Sequence, residues 1–148
     1  MIILGIDIAF NHSSFAVFEN GDYRLSENYV AEKDDTDEIK YDKFWEFFND
    51  AIVRHEPDKI ICEKAFLGPN KRVFGLISEL IGMIRSICLN RNIPLVVVST
   101  SSYRSRLGIA NHKESALNLV KSLYPEIEID SNSDIADAIC LAKYGSEL

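Results

Sequence analysis

The sequence predicts an α/β fold: a mixed five-stranded sheet, three antiparallel strands followed by two parallel ones, flanked by helices. Three observations carry that reading. Apolar and alternating runs joined by the hairpin dipeptide Asn20-Gly21 fill the chain up to Val30. Two short apolar runs, each preceded by a segment of helical periodicity, follow between residues 59 and 98. The 148 residues, 47% hydrophobic and 26% charged, suffice for one domain over 1–148 with a sizeable core, and exclude collagen-like, disordered and supercharged classes.

Met1 to Asp7 is β-branched and apolar and reads as the first strand. Ser13 to Glu19 alternates and breaks at Asn20-Gly21, and Tyr23 to Val30 completes the antiparallel set. Glu32 to Glu38 is acidic and turn-like. Tyr41, Phe44, Trp45, Phe48, Ala51 and Ile52 then recur at helical spacing, an aromatic stripe read as core, and Pro57-Asp58 ends that helix. Lys59 to Glu63 is a short buried strand whose last residue is a carboxylate. After the loop Gly68-Pro69-Asn70, the positions Val73, Ile77, Leu80, Ile81, Ile84, Ile87 and Cys88 mark one helical face up to Asn92. Leu76 and Met83 lie on a second face, and Gly75, Ser78, Gly82 and Ser86 form a small-residue strip. A second helix is expected against that strip, either from another copy of the chain or from its own C-terminal helices. Leu95 to Val98 is the fifth strand; Ser101–Leu107, Lys113–Tyr124 and Ser133–Tyr144 read as helices.

Cys62, Cys88 and Cys140 are odd in number, widely spaced and flanked by apolar residues, so free buried thiols are expected rather than a disulfide framework or a zinc site. That suits a reducing cytosol and makes the sequon-like Asn11-His12-Ser13 irrelevant. No apolar run approaches the roughly 18 residues of a bilayer span, and the first residues show neither a basic n-region nor a cleavage site. A cytoplasmic protein, of a bacterial cell or a phage-infected host, is the expectation.

The net charge of −7 argues globally against a polyanionic partner, but charge is unevenly spread. Residues 1–62 carry 6 Lys and Arg against 14 Asp and Glu, residues 63–121 carry 9 against 3, and residues 122–148 carry 1 against 6. The middle third, with Lys64, Lys71, Arg72, Arg85, Arg91, Arg104, Arg106, Lys113 and Lys121, has the local excess expected of a phosphate-binding face.

Against that basic stretch stand carboxylates at element ends. Asp7 closes an apolar strand, where a charge is costly unless paired, hydrogen-bonded or bound to metal. Glu63 stands at the corresponding end of the Lys59 strand, and strand ends are where sites form in such sheets. Ser133 is placed to cap the last helix, whose Asp134 and Asp137, at i and i+3, share a face. Oxygen donors without His or Cys at ligand spacing favour Mg²⁺ or Mn²⁺ over Zn²⁺.

The segments Ile3-Leu4-Gly5-Ile6-Asp7, Cys62-Glu63-Lys64-Ala65-Phe66 and Asp134-Ile135-Ala136-Asp137-Ala138 resemble, in order and spacing, the three acidic motifs of the RuvC-type Holliday junction resolvases. The likeness runs nearly the whole chain, through Asn92-Ile93-Pro94 and the Gly108-Ile109 pair followed by Lys113. It implies a ribonuclease-H-like fold, a homodimer, and a divalent-metal endonuclease of DNA recombination and repair that makes paired nicks in four-way DNA junctions. Asp7, Glu63, Asp134 and Asp137 carry over as the metal-binding acidic tetrad. Phe66 corresponds to an aromatic that stacks on bases at the opened crossover. Lys113 matches a family lysine near the scissile phosphate, and a second family lysine falls near Tyr103 or Arg104. After Asp7 the bacterial enzymes continue Pro-Gly-Ser, whereas this chain has Ile8-Ala9-Phe10-Asn11-His12, and it is short and acidic for the bacterial form. Both departures imply a divergent member, from a bacteriophage or an organelle.

Phosphodiester hydrolysis needs an activated water and a stabilised leaving oxygen, which two metal ions about 3.5–4 Å apart supply together. The expected assignment has Asp7 bridging two Mg²⁺ ions, Glu63 and Asp134 as outer ligands, and Asp137 as ligand or base. Lys113 is the first candidate to offset charge on the phosphate, with Arg104 and Arg106 second. Lys64, Lys71, Arg72 and His112 join Phe66 as expected DNA contacts; His12 and His55 are read as structural or surface residues. Actin-like ATPases also open on Gly-x-Asp, but they need two domains and phosphate-cradling glycine turns that this chain lacks. A nuclease of the same fold acting on RNA or flaps, or an inactive junction-binding module, remain the alternatives.

Overall fold

Along the first strand, odd-numbered residues point to one side and even-numbered residues to the other, and this alternation organises the molecule. Leu4 and Ile6 join Phe15 and Val17 in one core cluster; Ile3 joins Ala16, Phe18 and Ile61 in a second. The sheet is therefore a middle layer buried on both faces. The structure, a computed structural model, describes residues 1–129 and 133–148, the side chains of Lys113 and Ser133 excepted.

The elements in chain order are β1 (Ile2–Asp7), β2 (His12–Glu19), β3 (Asp22–Val30), α1 (Asp37–His55), β4 (Lys59–Glu63), α2 (Lys71–Arg91), β5 (Leu95–Val98), α3 (Thr100–Leu107), α4 (Lys113–Leu123) and α5 (Ser133–Ser146). The sheet order is β3-β2-β1-β4-β5. The first three strands pair antiparallel and β4 and β5 add in parallel, as the sequence predicts. Asn20 and Gly21 both have positive φ, 52° and 88°, the geometry a two-residue hairpin demands.

Helices α1 and α2 cover the even-residue face. Thr36 caps α1 by accepting from the Ile39 amide, and Glu56, at φ 45°, ends it just before Pro57. Phe44, Phe48, Ala51 and Ile52 pack with Leu80, Ile84, Ile87 and Cys88 over the sheet. Trp45 departs from the expected stripe and is 44% exposed. One residue is 100° of helix rotation, which carries Trp45 from the row of Phe44 and Phe48 toward solvent.

The opposite face takes α5 and, against it, α3 and α4. A Cβ on Gly5 would collide with the backbone of Ala138 and Ala142, so this glycine lets α5 lie directly on β1. The two helix layers sit on opposite faces, which removes one expectation: the small-residue strip of α2 does not pack under the C-terminal helices. Nothing stands within 4 Å of a Cβ placed on Gly75 or Gly82. By length and composition alone α2 could also cross a membrane, contrary to the reading of the sequence, although Leu80, Ile84, Ile87 and Cys88 are buried in the fold. The three cysteines are free and buried as expected, and burial pushes the Cys62 thiol up to about 12.

Candidate active site

The parallel register places Ile6 beside Cys62, so Asp7 and Glu63 leave neighbouring strands side by side. Asp7 follows Ile3 and Gly5 in the odd-residue alternation and Glu63 follows Ile61, which turns both carboxylates toward α5. That helix begins at this edge, and its first turns bring Asp134 and Asp137 over the same place. Four acids from three elements are thus gathered at one end of the sheet.

Their crowding is visible in their protonation. Burial, then the charges of Asp137, Asp134 and Glu63, hold the Asp7 carboxyl well above its usual range, and Asp134 lies within hydrogen-bonding reach of it. Burial is also the main force raising Asp137, to about 7, with Glu63 and Asp134 adding to it and Arg104 partly offsetting it. Two carboxyls in hydrogen-bond contact must share a proton or a cation.

Each of the other three acids is held by a donor. Arg104, only 5% exposed, donates through Nη2 to Asp137 at 3.0 Å. Its Nη1 reaches the carbonyls of Ala110 (3.2 Å) and His112 (2.7 Å) and the Ser115 hydroxyl (2.8 Å), and its Nε reaches the Tyr103 hydroxyl (3.3 Å). Tyr103 in turn donates to Glu63 at 3.4 Å, and the Thr100 hydroxyl donates to the same carboxylate. His12 Nδ1 stands 2.7 Å from Asp134. The sequence gives no direct sign of these partners for His12, Thr100 or Tyr103, although a tyrosine and an arginine on the buried side of α3, beside Leu107, are a charge and a hydroxyl where apolar residues belong.

Arg104 is therefore not the phosphate contact expected of it. Its guanidinium is spent on protein acceptors, and it ties the loop 108–112 to α3, α4 and Asp137. Arg106 is not brought to the tetrad either: it donates to the Glu147 carbonyl at 3.3 Å, beyond the far end of α5, about 15 Å of helix from Asp137. The remaining expected contacts with described side chains lie on the surface. Lys64 follows Glu63 and is exposed; Lys71 and Arg72 are exposed at the start of α2, with Arg72 3.3 Å from Asp37. His112 is exposed at the N-cap of α4 and makes no side-chain cap bond. Lys113 opens α4, but its side chain lies outside the described residues, as does that of Ser133, the expected cap of α5. Phe66 is 80% and Leu67 62% exposed on the loop after β4, where the Gly68 amide donates to the Phe66 carbonyl at 3.1 Å and closes a three-residue turn.

As the side chains stand, no three His, Cys, Asp or Glu among the described residues are arranged to grip a metal ion. The donor set nonetheless fits a hard cation. It is all carboxylate oxygen, and it concentrates negative charge that protons and hydrogen-bond donors of the chain now offset.

No family model and no curated protein matches the chain. Solved structures do. The fold is similar to that of the Thermus thermophilus RuvC in complex with Holliday junction substrate, with a TM-score of 0.83 and 15% identity over 97% of this chain and 91% of that one. It is similar to the Fowlpox virus resolvase in its complex with Holliday junction DNA, with a TM-score of 0.67 and 20% identity over 99% and 97% of the two chains. The yeast mitochondrial Holliday junction resolvase gives 0.69 and 17% identity over 97% and 77%. The resemblance read from the three acidic segments thus has its counterpart in the fold along nearly the whole chain.

Proposed function

We propose that the protein is a divalent-metal-dependent endodeoxyribonuclease that resolves four-way DNA junctions by paired nicking. The observation that carries this reading is the convergence of Asp7, Glu63, Asp134 and Asp137 at one edge of a sheet whose architecture is shared with junction resolvases. Asp7, Glu63, Asp134 and Asp137 would hold Mg²⁺, with Mn²⁺ as a substitute, two ions to a site. When bound, such ions activate a water and neutralise the leaving oxygen of a phosphodiester.

The chain's own residues prepare that site. Arg104 fixes Asp137, Thr100 and Tyr103 fix Glu63, and His12 fixes Asp134, so carboxylate rotamers are held before substrate arrives. Exposed Lys64, Lys71 and Arg72 would draw the phosphate backbone toward the acids, and His112 and Lys113, at the start of α4, join them as proposed DNA contacts. Phe66, too exposed to be a core plug, is placed to stack on bases where the crossover opens.

Paired nicking needs two sites related by the twofold of the junction, and an isologous dimer supplies them. The open face of α2 is the surface for it. Gly75, Ser78, Gly82 and Ser86 leave room for a second helix, and Leu89, 72% exposed, stands in line with the strip.

The test uses a synthetic four-way junction labelled in turn on each strand, with duplex, flap and RNA substrates beside it. Symmetric nicks in opposed strands of the junction in Mg²⁺, absent in EDTA, are the expected result. Junction binding without cleavage in either Mg²⁺ or Mn²⁺, or faster cleavage of RNA, would overturn the proposal.

A further inference from the structure

A cavity of about 830 Å³ lies beside the acidic tetrad and not on it. Its size is that of a small-molecule cleft, for which about 300–1,000 Å³ is usual. Phe66 and Phe74 form apolar walls, and Lys64, Thr100, Ser101 and Asn111 add polar groups. Thr100 connects the two places: it lines the cavity, and its hydroxyl donates to Glu63. A strand whose phosphate lay over the carboxylates would therefore carry its neighbouring nucleotide to the mouth of this cavity.

The polar groups there are of two kinds. Thr100 is committed to Glu63, whereas the Asn111 amide makes no hydrogen bond among the described residues and is exposed. Ser101 has only a long contact, 3.3 Å, to the Ser99 hydroxyl. Asn111 is nevertheless held in place from behind. Buried Arg104 donates to the carbonyls of Ala110 and His112, the residues on either side of it, so the backbone that carries Asn111 is fixed while its side chain stays free. An amide offering a donor and an acceptor together, on a rigid mount beside an aromatic wall, matches the edge of a nucleobase whose face stacks on that wall.

The geometry points to an extruded nucleobase as the occupant of this cavity, stacked against Phe66 and read at its edge by Asn111 and Ser101, so that these two residues set which sequence is cut. This deepens the endonuclease reading and rests on it for the position of the strand. The role of Arg104 follows: it is a positioning residue for base readout as well as for Asp137.

The experiment uses four-way junctions with a fixed crossover, in which each nucleotide flanking the cut is varied through the four bases. 2-Aminopurine placed at the same positions reports unstacking when the protein binds in EDTA. Wild type is expected to prefer one base at one flanking nucleotide by about tenfold or more, the discrimination a bidentate amide contact gives. Asn111→Ala should reduce that preference to within about twofold. Asn111→Asp, which replaces the donor by a second acceptor, should move the preference to another base, and 2-aminopurine at that nucleotide should brighten with wild type and less with Asn111→Ala. Asn111 is exposed, so both variants are expected to melt with wild type. If junctions are cut but both variants keep the wild-type preference, or no flanking 2-aminopurine brightens, the base pocket is overturned and the resolvase reading stands. If no junction is cut while an Asn111-dependent brightening persists, the pocket stands and the resolvase reading falls. If neither cutting nor brightening is seen, both fall.

Discussion

Replacing Asp7 by Asn should make the metal-free protein more stable while depriving it of its activity. The carboxyl of Asp7 is held above its ordinary range by burial and by three neighbouring acids, so the folded state binds its proton more tightly than the unfolded chain does. A raised folded pKa means that stability is greatest below the unfolded value, 3.8, and declines as pH rises toward the folded one. Asp137 adds a decline of the same sign between 3.8 and about 7, which at 1.36 kcal/mol per unit is on the order of 4 kcal/mol. An asparagine at position 7 carries no charge at any pH and can donate to Asp134 without a shared proton. Replacing residues kept unfavourable for function commonly gains about 0.5–2 kcal/mol. For a chain of this size that is roughly 2–8 °C in melting temperature. Calorimetry in EDTA at pH 8 should show the gain, and at pH 4 it should nearly vanish. In Mg²⁺ the order should reverse, because a ligand at about 100 times its dissociation constant would stabilise wild type by about 2.7 kcal/mol and the variant would lack one of the four carboxylates proposed to hold it. An Asp7→Asn protein that melts below wild type in EDTA at pH 8, or that gains as much from Mg²⁺, would refute the electrostatic account of the tetrad.

Three further outcomes follow from the same geometry. Arg104→Met removes one side of a buried ion pair and strands Asp137 and two loop carbonyls, so it should cost about 3–5 kcal/mol in chemical denaturation; a loss under 1 kcal/mol would mean that the pair is not closed in solution. Phe66→Ala should leave stability unchanged, since the ring is 80% exposed, and should slow cleavage of a fully paired junction more than of one with an unpaired crossover, by up to the ~1–3 kcal/mol of a stacked base; equal losses would remove the stacking role. Gly82→Glu points a charge into open space on α2 and should yield a folded monomer that nicks without pairing; sedimentation showing an unchanged dimer would move the interface elsewhere.

The sheet and the acids were legible in the sequence because both depend on periodicity. Asn20-Gly21 set the hairpin, and the runs Met1 to Asp7 and Lys59 to Glu63 put a carboxylate at the corresponding end of each strand, whereas their common face follows from the parallel register of β1 and β4. Asp134 and Asp137 needed only the helical repeat. What periodicity could not show was how deep a charged residue lies. Arg104 and Arg106 are two residues apart on one short helix and read alike as basic contacts, yet one is buried at the tetrad and the other reaches the chain's last residues. Their difference is the 200° of helix rotation between them, resolved only when α5 is packed against α3. His12, Thr100 and Tyr103 were missed for a related reason: each meets its carboxylate across elements far apart in sequence.

A net acidic charge does not by itself bar the proposed DNA-binding role. The chain's carboxylates fall into two populations with different consequences. Those of α1 and its flanking loops are mostly exposed, some of them in ion pairs such as Asp50 with Arg54 at 2.8 Å. Exposed pairs of this kind contribute about 0–1 kcal/mol and are screened within about 10 Å at ordinary salt. The four gathered at one edge of the sheet, two from strand ends and two from α5, are crowded and partly buried, and keeping them together without a cation costs the folded protein stability. Two divalent ions held there, as proposed, would offset four negative charges, and exposed Lys64, Lys71 and Arg72 would then weigh more in the sign of the surrounding surface. Net charge then bears on solubility, whereas under the proposed function affinity for a polyanion would depend on the metal-loaded edge. Binding to a junction should strengthen on adding Ca²⁺, which neutralises the acids without supporting cleavage, and Asp7→Asn should abolish most of that gain.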